Sequence, residues 1–472
     1  MNILKLLNKK EKVLVVGESI LDRYVYGNSE RISSEVPIPV FKSTENLYKL
    51  GGAANVAKNI SNFGIDVSIL TIINHGVSNG IIKNLLKKNK VDLENIIDSG
   101  DYHTPIKTRY FDGLYQCFRE DHEKTNLMNE KLIGQIIYKF RTNFKKYKLI
   151  VISDYNNGLL DNGIVRYIIE NANINNIKVL VDPKRNDYNK FKDSFLIKPN
   201  KKDAEYFCKF IIKTDLDILK ASKHFCNQLN TNVCMITLSE RGISIYNRDT
   251  DVHQIFETDE KLDVIDVTGA GDTVISTVCL GLINNLNYSD ICKLSNKFAA
   301  NVITKQGTQV VDLLHFIKSN KVIDNLEQLR ILAKILKKKN KKIVFTTGCF
   351  DIVHLGHIQS LKKAKQKGDI LIVALNSDLS IKKIKGEQRP IQNLKTRLAV
   401  LKELSCVDFI ITFDDNTPVN IHNILNPNFL VKGGDYTYQE IKKIYPKLNN
   451  YIQIDIEEGY STTNIINLIK NS

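Results

Sequence analysis

No stretch of this 472-residue chain approaches the ~20 consecutive apolar residues that a membrane-spanning helix requires. Its start, MNILKLLNKKEKVLVVGES, alternates short apolar pieces with lysines and has neither a long apolar segment nor a small-residue cleavage site. Neither a span nor a secretory leader is therefore expected, and the chain reads as soluble and cytoplasmic. The eight cysteines (Cys117, Cys208, Cys226, Cys234, Cys279, Cys292, Cys349 and Cys406) contain no C-x-x-C pair and no histidine at metal spacing. That pattern speaks against a zinc site or a disulfide framework and for free thiols, mostly buried. No internal repeat is present. No aromatic-rich basic RNA motif or basic recognition helix appears either, so nucleic acid is not the expected partner.

What is present is ordinary globular composition with an excess of positive charge. Charged residues make up 25% and hydrophobic residues 43%, which excludes a mostly disordered chain, while Lys plus Arg (67) exceeds Asp plus Glu (52) by 15. Such a surface favours anionic partners, among them phosphorylated metabolites. At ~150 residues per domain, the length implies two large domains or three average ones. From Lys12, short β-branched runs (KVLVVGES, DVSILTII, KLIVISDYNNG, KVLVDPK, SFLIKPN, NVCMITLSERG) end in turn or cap residues and are separated by helix-length stretches. This is the rhythm of an α/β fold with a mostly parallel sheet. A Leu, Ile and Lys-rich segment at 318–340 has no Gly or Pro and is read as a connecting helix. The alternation then restarts with KIVFTTGCFD, DILIVALNSD, VDFIITFDD, FLVKGGD and YIQIDIE. The expected layout is two domains, 1–317 and 341–472, joined by a linker at 318–340. Of the excess of 15 charges, a third falls in that 23-residue linker.

The strongest feature of the first half is DVTGAGDTVISTVCLGL at 266–282. Gly269, Ala270 and Gly271 allow main-chain amides to approach a ligand, and the apolar run after them begins a helix whose N-terminus favours an anion. Asp272 in that first turn is either a favourable helix-start charge or a general base for a hydroxyl nucleophile. D-V-T-G-A-G-D-T resembles the C-terminal signature of ribokinase-type sugar kinases, and GGAANVAKNI at 51–60, with Gly64 after it, resembles their N-terminal signature. Asp22, the KPN turn at 198–200 and ITLSERG at 236–242 stand in the same order. The resemblance covers about 300 residues and implies a doubly wound sheet with helices on both faces, a β-lid and, as is common among such kinases, a dimer. It implies ATP-dependent phosphorylation of a sugar hydroxyl, with Asp272 as base and the amides of 269–271 stabilising charge on the transferred phosphoryl group. Asp22, Gly51, Gly52 and Asn55 would grip the sugar. The family's Asn-x-x-Glu appears as Asn200-Lys201-Lys202-Asp203, so the ATP and Mg²⁺ roles implied there fall on a shorter acid, with Glu205 two residues further on. Lys107, Arg109, Arg119 and Lys184 are candidates for a substrate phosphate, or are solvated surface cations.

In the second half, TTGCFDIVHLGHIQSLKKAK at 346–365 places His354 and His357 three apart at a helix start, where both rings can face one ligand and can donate to phosphate oxygens. A metal pair and a purely structural role are the other readings. His354-Leu355-Gly356-His357 resembles the signature of the nucleotidyltransferase superfamily, preceded here by Gly348, Phe350 and Asp351. Ser461, Thr462 and Thr463 resemble its second signature, without the Arg that cytidylyl-transferring members carry upstream. Asn376, Asp378, Lys385, Arg389, Lys432, Gly433, Gly434 and Asp435 resemble the adenylyltransferase branch acting on heptose 1-phosphate, and are implied to bind the nucleotide.

The order of the halves resembles the family of bifunctional heptose kinase–adenylyltransferases of lipopolysaccharide precursor synthesis. Two reactions are implied: phosphorylation of D-glycero-β-D-manno-heptose 7-phosphate at its 1-position, and transfer of AMP from ATP to the 1-phosphate. A separate phosphatase acts between them, so direct transfer between the sites is not expected. The alternatives are a kinase for another sugar phosphate fused to a cytidylyltransferase, or a basic nucleic-acid-binding protein that retains these folds.

Overall fold

The structure, a computed structural model, describes residues 2–113, 115–184, 187–258, 263–434 and 437–454. Ser461, Thr462, Thr463 and Asp435 lie outside the described residues. The chain divides into one compact unit of Leu6–Val311 and a second of Asp312–Ser472 with Met1–Lys5.

In chain order the first unit begins β1 (Lys12–Gly17), β2 (Ser19–Ile32), β3 (Pro39–Gly52), α1 (Ala53–Asn62), β4 (Asp66–Asn74), α2 (Val77–Lys88), β5 (Ile96–Ser99), β6 (Ile106–Asp112) and β7 (Tyr115–His122). It continues α3 (Glu130–Asn143), β8 (Leu149–Ser153), α4 (Asn162–Ile174), β9 (Lys178–Asp182), β10 (Leu196–Ile197), α5 (Lys201–Cys208) and α6 (Asp215–Leu229). It ends β11 (Val233–Thr237), β12 (Ile243–Asn247), β13 (Val252–Phe256), α7 (Ala270–Ile283) and α8 (Tyr288–Ile303). The main sheet runs β13-β12-β11-β10-β9-β8-β1-β4-β5 and is parallel except at the β11-β12-β13 edge. Alternate residues of the strands feed opposite faces. Leu14, Val16, Ile150 and Ile152 join the apolar faces of α3, α4 and α6 in one buried cluster, while α1 packs on the sheet together with α7. Burial on both faces explains why these strands read as unbroken Val/Ile runs.

A separate four-stranded sheet, β3-β2-β6-β7, is the expected lid. The candidate phosphate-binding cations Lys107, Arg109 and Arg119 lie on its strands β6 and β7. β2 is largely buried from Ser19 to Gly27, β3 only at Leu50–Gly52 and β6 at Thr108, Arg109 and Phe111, whereas β7 is exposed along its length.

The second unit comprises α9 (Leu313–Ile317), β14 (Val322–Ile323), α10 (Leu326–Lys338), β15 (Ile343–Gly348), α11 (Leu355–Lys365), β16 (Ile370–Asn376) and α12 (Asp378–Lys385). After these come α13 (Leu394–Glu403), β17 (Phe409–Phe413), α14 (Val419–Leu425), β18 (Phe429–Gly433), α15 (Tyr438–Ile444) and β19 (Tyr451–Ile454). Its sheet, β14-β17-β16-β15-β18-β19, is parallel throughout.

The segment read as a linker is not one. β14 pairs with β17, and α10 buries Leu329, Ile331, Leu332 and Leu336 and packs on α14, so both belong to the second unit. An amphipathic face identifies a helix without saying which core it joins. The lysine run also has a local reason: Lys337 and Lys338 close the last turn of α10, where cations oppose the helix dipole, and Lys339 pairs with Asp312.

Candidate active sites

In the first unit the strand order reverses at β1, with β4 and β5 on one side and β8 to β11 on the other. Ligands of open α/β sheets lie outside the carboxyl ends at such a point. Glu18, Asp154, Tyr155, Asp182, Lys184, Lys198 and Asn200 follow those ends directly. Across from them Gly269, at φ 84° in the left-handed region, turns the chain into α7 and leaves Asp272 in its first turn. A side chain at Gly269 would come within 3.0 Å of the Asn55 amide.

Asp272 is buried, and each carboxylate oxygen has its own donor. Asn55 Nδ2 lies 2.7 Å from Oδ2, and the Tyr155 hydroxyl 2.9 Å from Oδ1. Burial raises its pKa; the Asn55 bond opposes this, Asp182 adds to it, and the Tyr155 bond and Lys184 oppose it. Tyr155 is raised well above the usual phenol value by burial and by Asp272, so it remains a donor. Asp182 is paired with Lys198 at 2.9 Å, and Lys184 lies over the Tyr155 ring.

A cavity of about 480 Å³ opens onto Asp272, Gly269 and Gly271, with Asp182, Lys184, Lys198, Asn200, Lys201 and Lys202 also in its wall. It shares Thr237, Ser239, Val267 and Gly271 with an apolar cavity of about 1020 Å³ lined by Ile243, Val274, Ala299 and Ile303. A polar pocket at a helix N-terminus beside an apolar one matches the two ends of a nucleoside triphosphate. Of the three expected anion-hole amides, that of Ala270 instead donates to the Val267 carbonyl at 3.2 Å, and Ala270 lines the apolar cavity.

Asp22, Gly51, Gly52 and Asn55 are all buried here. Gly51 is required sterically, since a Cβ there would sit 2.6 Å from Asp22 Oδ2. Gly52, at φ 59°, meets the Glu18 carbonyl in the same way. Asp22 forms a buried ion pair with Arg109 at 2.7 Å; burial still raises its pKa against the pull of that guanidinium.

The four candidate cations therefore separate. Arg109 is used by Asp22, and Arg119 sits on exposed β7 with both its bonds on Asp121. Lys107 and Lys184 line one cavity of about 310 Å³ with Glu123, Asn156, Asn157 and Asp203, and Lys107 pairs with Glu123 at 2.6 Å and Asp121 at 3.4 Å. Asn200 Oδ1 caps α5 by accepting from the Asp203 amide at 2.8 Å, and Glu205 accepts from the Ile212 amide at 3.0 Å. The Asn200 oxygen and the Glu205 carboxylate thus have structural partners, and Asp203 is buried in the cavity next to the one that holds Asp272.

In the second unit the switch point lies between β15 and β18. Gly348 ends β15, and a side chain there would strike the Phe350 ring at 2.8 Å. His354 occupies the N-cap of α11 without using its ring as a cap, and His357 stacks on it with ring centres 3.9 Å apart. Nδ1 of both rings has no hydrogen-bond partner among the described residues. Burial lowers both pKa values, that of His357 to about 4 with His354 and Lys385 contributing. Two imidazoles kept neutral by burial thus lie together at the N-terminus of α11, where ring N–H groups and first-turn amides suit an anion. Lys432 and Gly433 end the neighbouring strand β18, and burial lowers the Lys432 pKa. Gly434, at φ 108°, makes the turn beyond it.

Four expected nucleotide contacts, Asp351, Arg389, Asn376 and Asp378, have structural partners. The Asp351 carboxylate takes Arg389 Nε at 2.6 Å and the amides of Ile391 and Gln392. Burial would raise its pKa, but those amides and the guanidinium hold it below the ordinary value. Asn376 donates to Ser380 Oγ, and Asp378 accepts from the Leu394 amide and from Arg397. Arg397, which the sequence did not single out, is fully buried. It donates to Cys349 O (2.8 Å), Asn376 O (2.7 Å), Gln392 O (3.0 Å) and Asp378 (2.6 Å), tying the loops after β15 and β16 to α13.

The other residues missed were Tyr155, Asp182, Lys198 and Glu18. A general signal existed for each: polar residues directly after a Val/Ile strand of a parallel sheet sit at the ligand edge. Arg397 carried no such signal, being one cation in a helix rich in them.

Comparison with known proteins accords with this geometry. Residues 10–313 match the model of the pfkB family carbohydrate kinases, and residues 345–468 match a cytidylyltransferase-like model. Proteins named Bifunctional protein HldE from Aliarcobacter butzleri and Campylobacter jejuni are each 37% identical, with 99% of both chains covered; that from Helicobacter acinonychis is 37% identical, covering 98% of this chain and 99% of its own. Among solved structures, phosphofructokinase-2 from Escherichia coli with substrates and products superposes with a TM-score of 0.54 at 16% identity, covering 64% of this chain and 95% of that one. Arabidopsis thaliana ribokinase with ribose and ATP gives 0.51 at 13%, covering 64% and 96%. These two show the fold of the first unit.

Proposed function

The chain belongs to the HldE family of bifunctional proteins and, through residues 10–313, to the pfkB carbohydrate kinases, and on that premise we propose how its two sites divide the work. It is a bifunctional enzyme that joins a sugar kinase to a nucleotidyltransferase. In the first reaction D-glycero-β-D-manno-heptose 7-phosphate is phosphorylated by ATP at its 1-hydroxyl. In the second, AMP passes from ATP to the heptose 1-phosphate, giving ADP-heptose for lipopolysaccharide core synthesis, and pyrophosphate leaves.

The observation that carries the first reading is the buried Asp272 carboxylate, clamped by Asn55 and Tyr155 at the mouth of α7. It takes the 1-hydroxyl proton as the oxygen attacks the γ-phosphorus of ATP, while the amides of Gly269 and Gly271 and the Lys184 ammonium face the charge on the phosphoryl group. Lys107, in the adjoining cavity, is the cation proposed to meet the 7-phosphate, exchanging its bond to Glu123 for it. Mg²⁺ is expected to arrive with ATP. No cluster of three His, Cys, Asp or Glu occurs among the described residues, which suits an ion held largely by phosphate and water. Asp182 and Asp203 are the nearby carboxylates that would hold it through water; when bound, it neutralises phosphate charge.

In the second reaction the sugar phosphate is already an anionic nucleophile, so positioned donors suffice and no base is needed. His354, His357 and the α11 amides receive the triphosphate, with Lys385 and Lys432 adding charge. The cytoplasm is the proposed compartment; no helix among the described residues is long and apolar enough to cross a membrane. The exposed Ile32, Val36, Ile38 and Phe118 of the lid segments support a homodimer.

Phosphorus NMR of the full chain tests the substrate assignment. Heptose 7-phosphate with Mg·ATP is expected to give a 1,7-bisphosphate, and heptose 1-phosphate to release pyrophosphate with ATP far faster than with CTP. Equal use of CTP, or faster turnover of fructose 6-phosphate than of heptose 7-phosphate, would overturn it.

A further inference from the structure

Glu18 is fully buried directly after β1 and lines none of the three cavities described above, yet its polar atoms reach both arms of the clamp on Asp272. Its main-chain carbonyl accepts from the Ala53 amide at 2.9 Å, at the first residue of α1, two positions before Asn55. The approach is close enough that a Cβ on Gly52 would fall 2.4 Å from that carbonyl oxygen. Its carboxylate accepts from the Tyr155 amide at 2.9 Å and from the Asn157 amide at 3.3 Å, holding the turn after β8 from which the Tyr155 hydroxyl reaches Asp272. That turn is braced from its other side by Asp154, which pairs with Lys190 at 2.5 Å and accepts from the Asn156 amide.

We propose that Glu18 is a positioning residue of the kinase reaction: its main-chain carbonyl holds the start of the helix that carries Asn55, and its carboxylate seats the turn that carries Tyr155, so that the side chain fixes the Tyr155 arm of the pair that orients the Asp272 carboxylate. It does not touch the reacting atoms. Two oxygens facing two main-chain amides suit a carboxylate and no other side chain of that length. Glutamine keeps the volume but turns an N–H toward one amide, and aspartate falls one methylene short. Burial raises the Glu18 pKa to about 7, with Asp154 adding to the rise and the Tyr155 amide and Lys190 opposing it. The pair of amides is therefore bought at the cost of a buried carboxylate, which argues for a role beyond filling space.

The inference rests on Asp272 being the kinase base, and the test separates the two ideas. In the full-length chain, E18Q is expected to lower kcat for heptose 7-phosphate phosphorylation roughly 10- to 100-fold, the range that a small misplacement of a reacting group produces. KM for the sugar phosphate is expected to stay within about twofold and adenylyl transfer to stay at the wild-type rate. Tyr155→Phe alone is expected to lower kcat as well, and the E18Q/Y155F double variant to be no slower than the slower single, because both changes break one arm of one clamp. Unchanged kcat in E18Q, or losses that multiply in the double variant, would overturn the proposal. A D272N chain that still phosphorylates the sugar would instead overturn the base assignment. If E18Q melts below the assay temperature, E18D takes its place in the same cycle, with the same two outcomes deciding.

Discussion

The two active sites solve the problem of phosphate charge in opposite ways. In the first unit the carboxyls of the proposed reaction centre, Asp272 and Asp22, and Glu18 behind them are buried groups whose pKa values are raised. In the second the corresponding groups are imidazoles whose values are lowered, His354 and His357, backed by lysines. The difference follows from the nucleophile. A sugar hydroxyl must lose a proton, so its site keeps a carboxylate that gains basicity from burial. A sugar phosphate has none to lose, so its site needs only donors, and neutral rings donate without adding a buried charge. The supports differ as well. Asp272 is held by side chains 217 and 117 residues away in sequence, while one buried guanidinium, Arg397, gathers the loops of the second site.

The comparison breaks most visibly if the sites are not independent in function. Asp272→Asn is expected to cut heptose 7-phosphate phosphorylation by roughly a thousandfold, within the range a general base supplies. Adenylyl transfer should be untouched. His357→Ala is expected to do the reverse, slowing pyrophosphate release about a hundredfold. Loss of both activities in either folded variant, seen in coupled ADP and pyrophosphate assays, would break the contrast.

Arg397→Lys sharpens it at a smaller scale. Lysine cannot serve four acceptors in a plane, and each stranded buried carbonyl costs about 1–3 kcal/mol. The second unit should lose stability by that order, and adenylyl transfer should slow, while kinase turnover and the melting of the first unit hold. Calorimetry with both assays reads this directly; a kinase loss equal to the transferase loss would speak against a local role.

The smallest effect is in pH. Glu18 has a folded pKa of about 7 against an ordinary 4.5, so its contribution to stability is full below 4.5 and is lost as pH rises through 7. His357, at about 4 against 6.5, contributes fully above 6.5 and loses this as pH falls through 4. Relative to wild type, E18Q should gain protection of β1 and β8 amides from pH 5 to pH 8, and H357N should gain protection in α11 from pH 7 to pH 5. Hydrogen exchange checks both, and slopes of the same sign would contradict the opposition.

Much of this contrast was legible in the residues. The Gly269-Ala270-Gly271-Asp272 turn and the His354/His357 spacing are local patterns with local physics, and each sits where its pattern implies. The strand rhythm marked both sheets for the same reason, since burial on two faces leaves continuous apolar runs. What stayed hidden depends on distance in sequence. Tyr155 looks like any residue of a turn until the sheet order brings β8 beside β1 and opposite α7. Arg397 looks like a solvated helix cation until the loops close over it. Arg119, read as a candidate for a substrate phosphate or as a solvated cation, lies on the lid strand β7, which is exposed along its length and so carries no alternation to read. The lysine-rich helix carried a clear amphipathic stripe, but only the pairing of β14 with β17 reveals that its core is that of the second unit.

The most direct test gives the full-length enzyme heptose 7-phosphate and Mg·ATP with no phosphatase present, and follows every phosphorus species. Two separate chemistries, one taking the 7-phosphate and the other the 1-phosphate, require that the reaction stop at the 1,7-bisphosphate with ADP as the sole nucleotide product. Pyrophosphate and ADP-heptose should appear only when the 7-phosphate is removed. Release of pyrophosphate from the start, or no bisphosphate at any time, would contradict the division of labour proposed for the two sites.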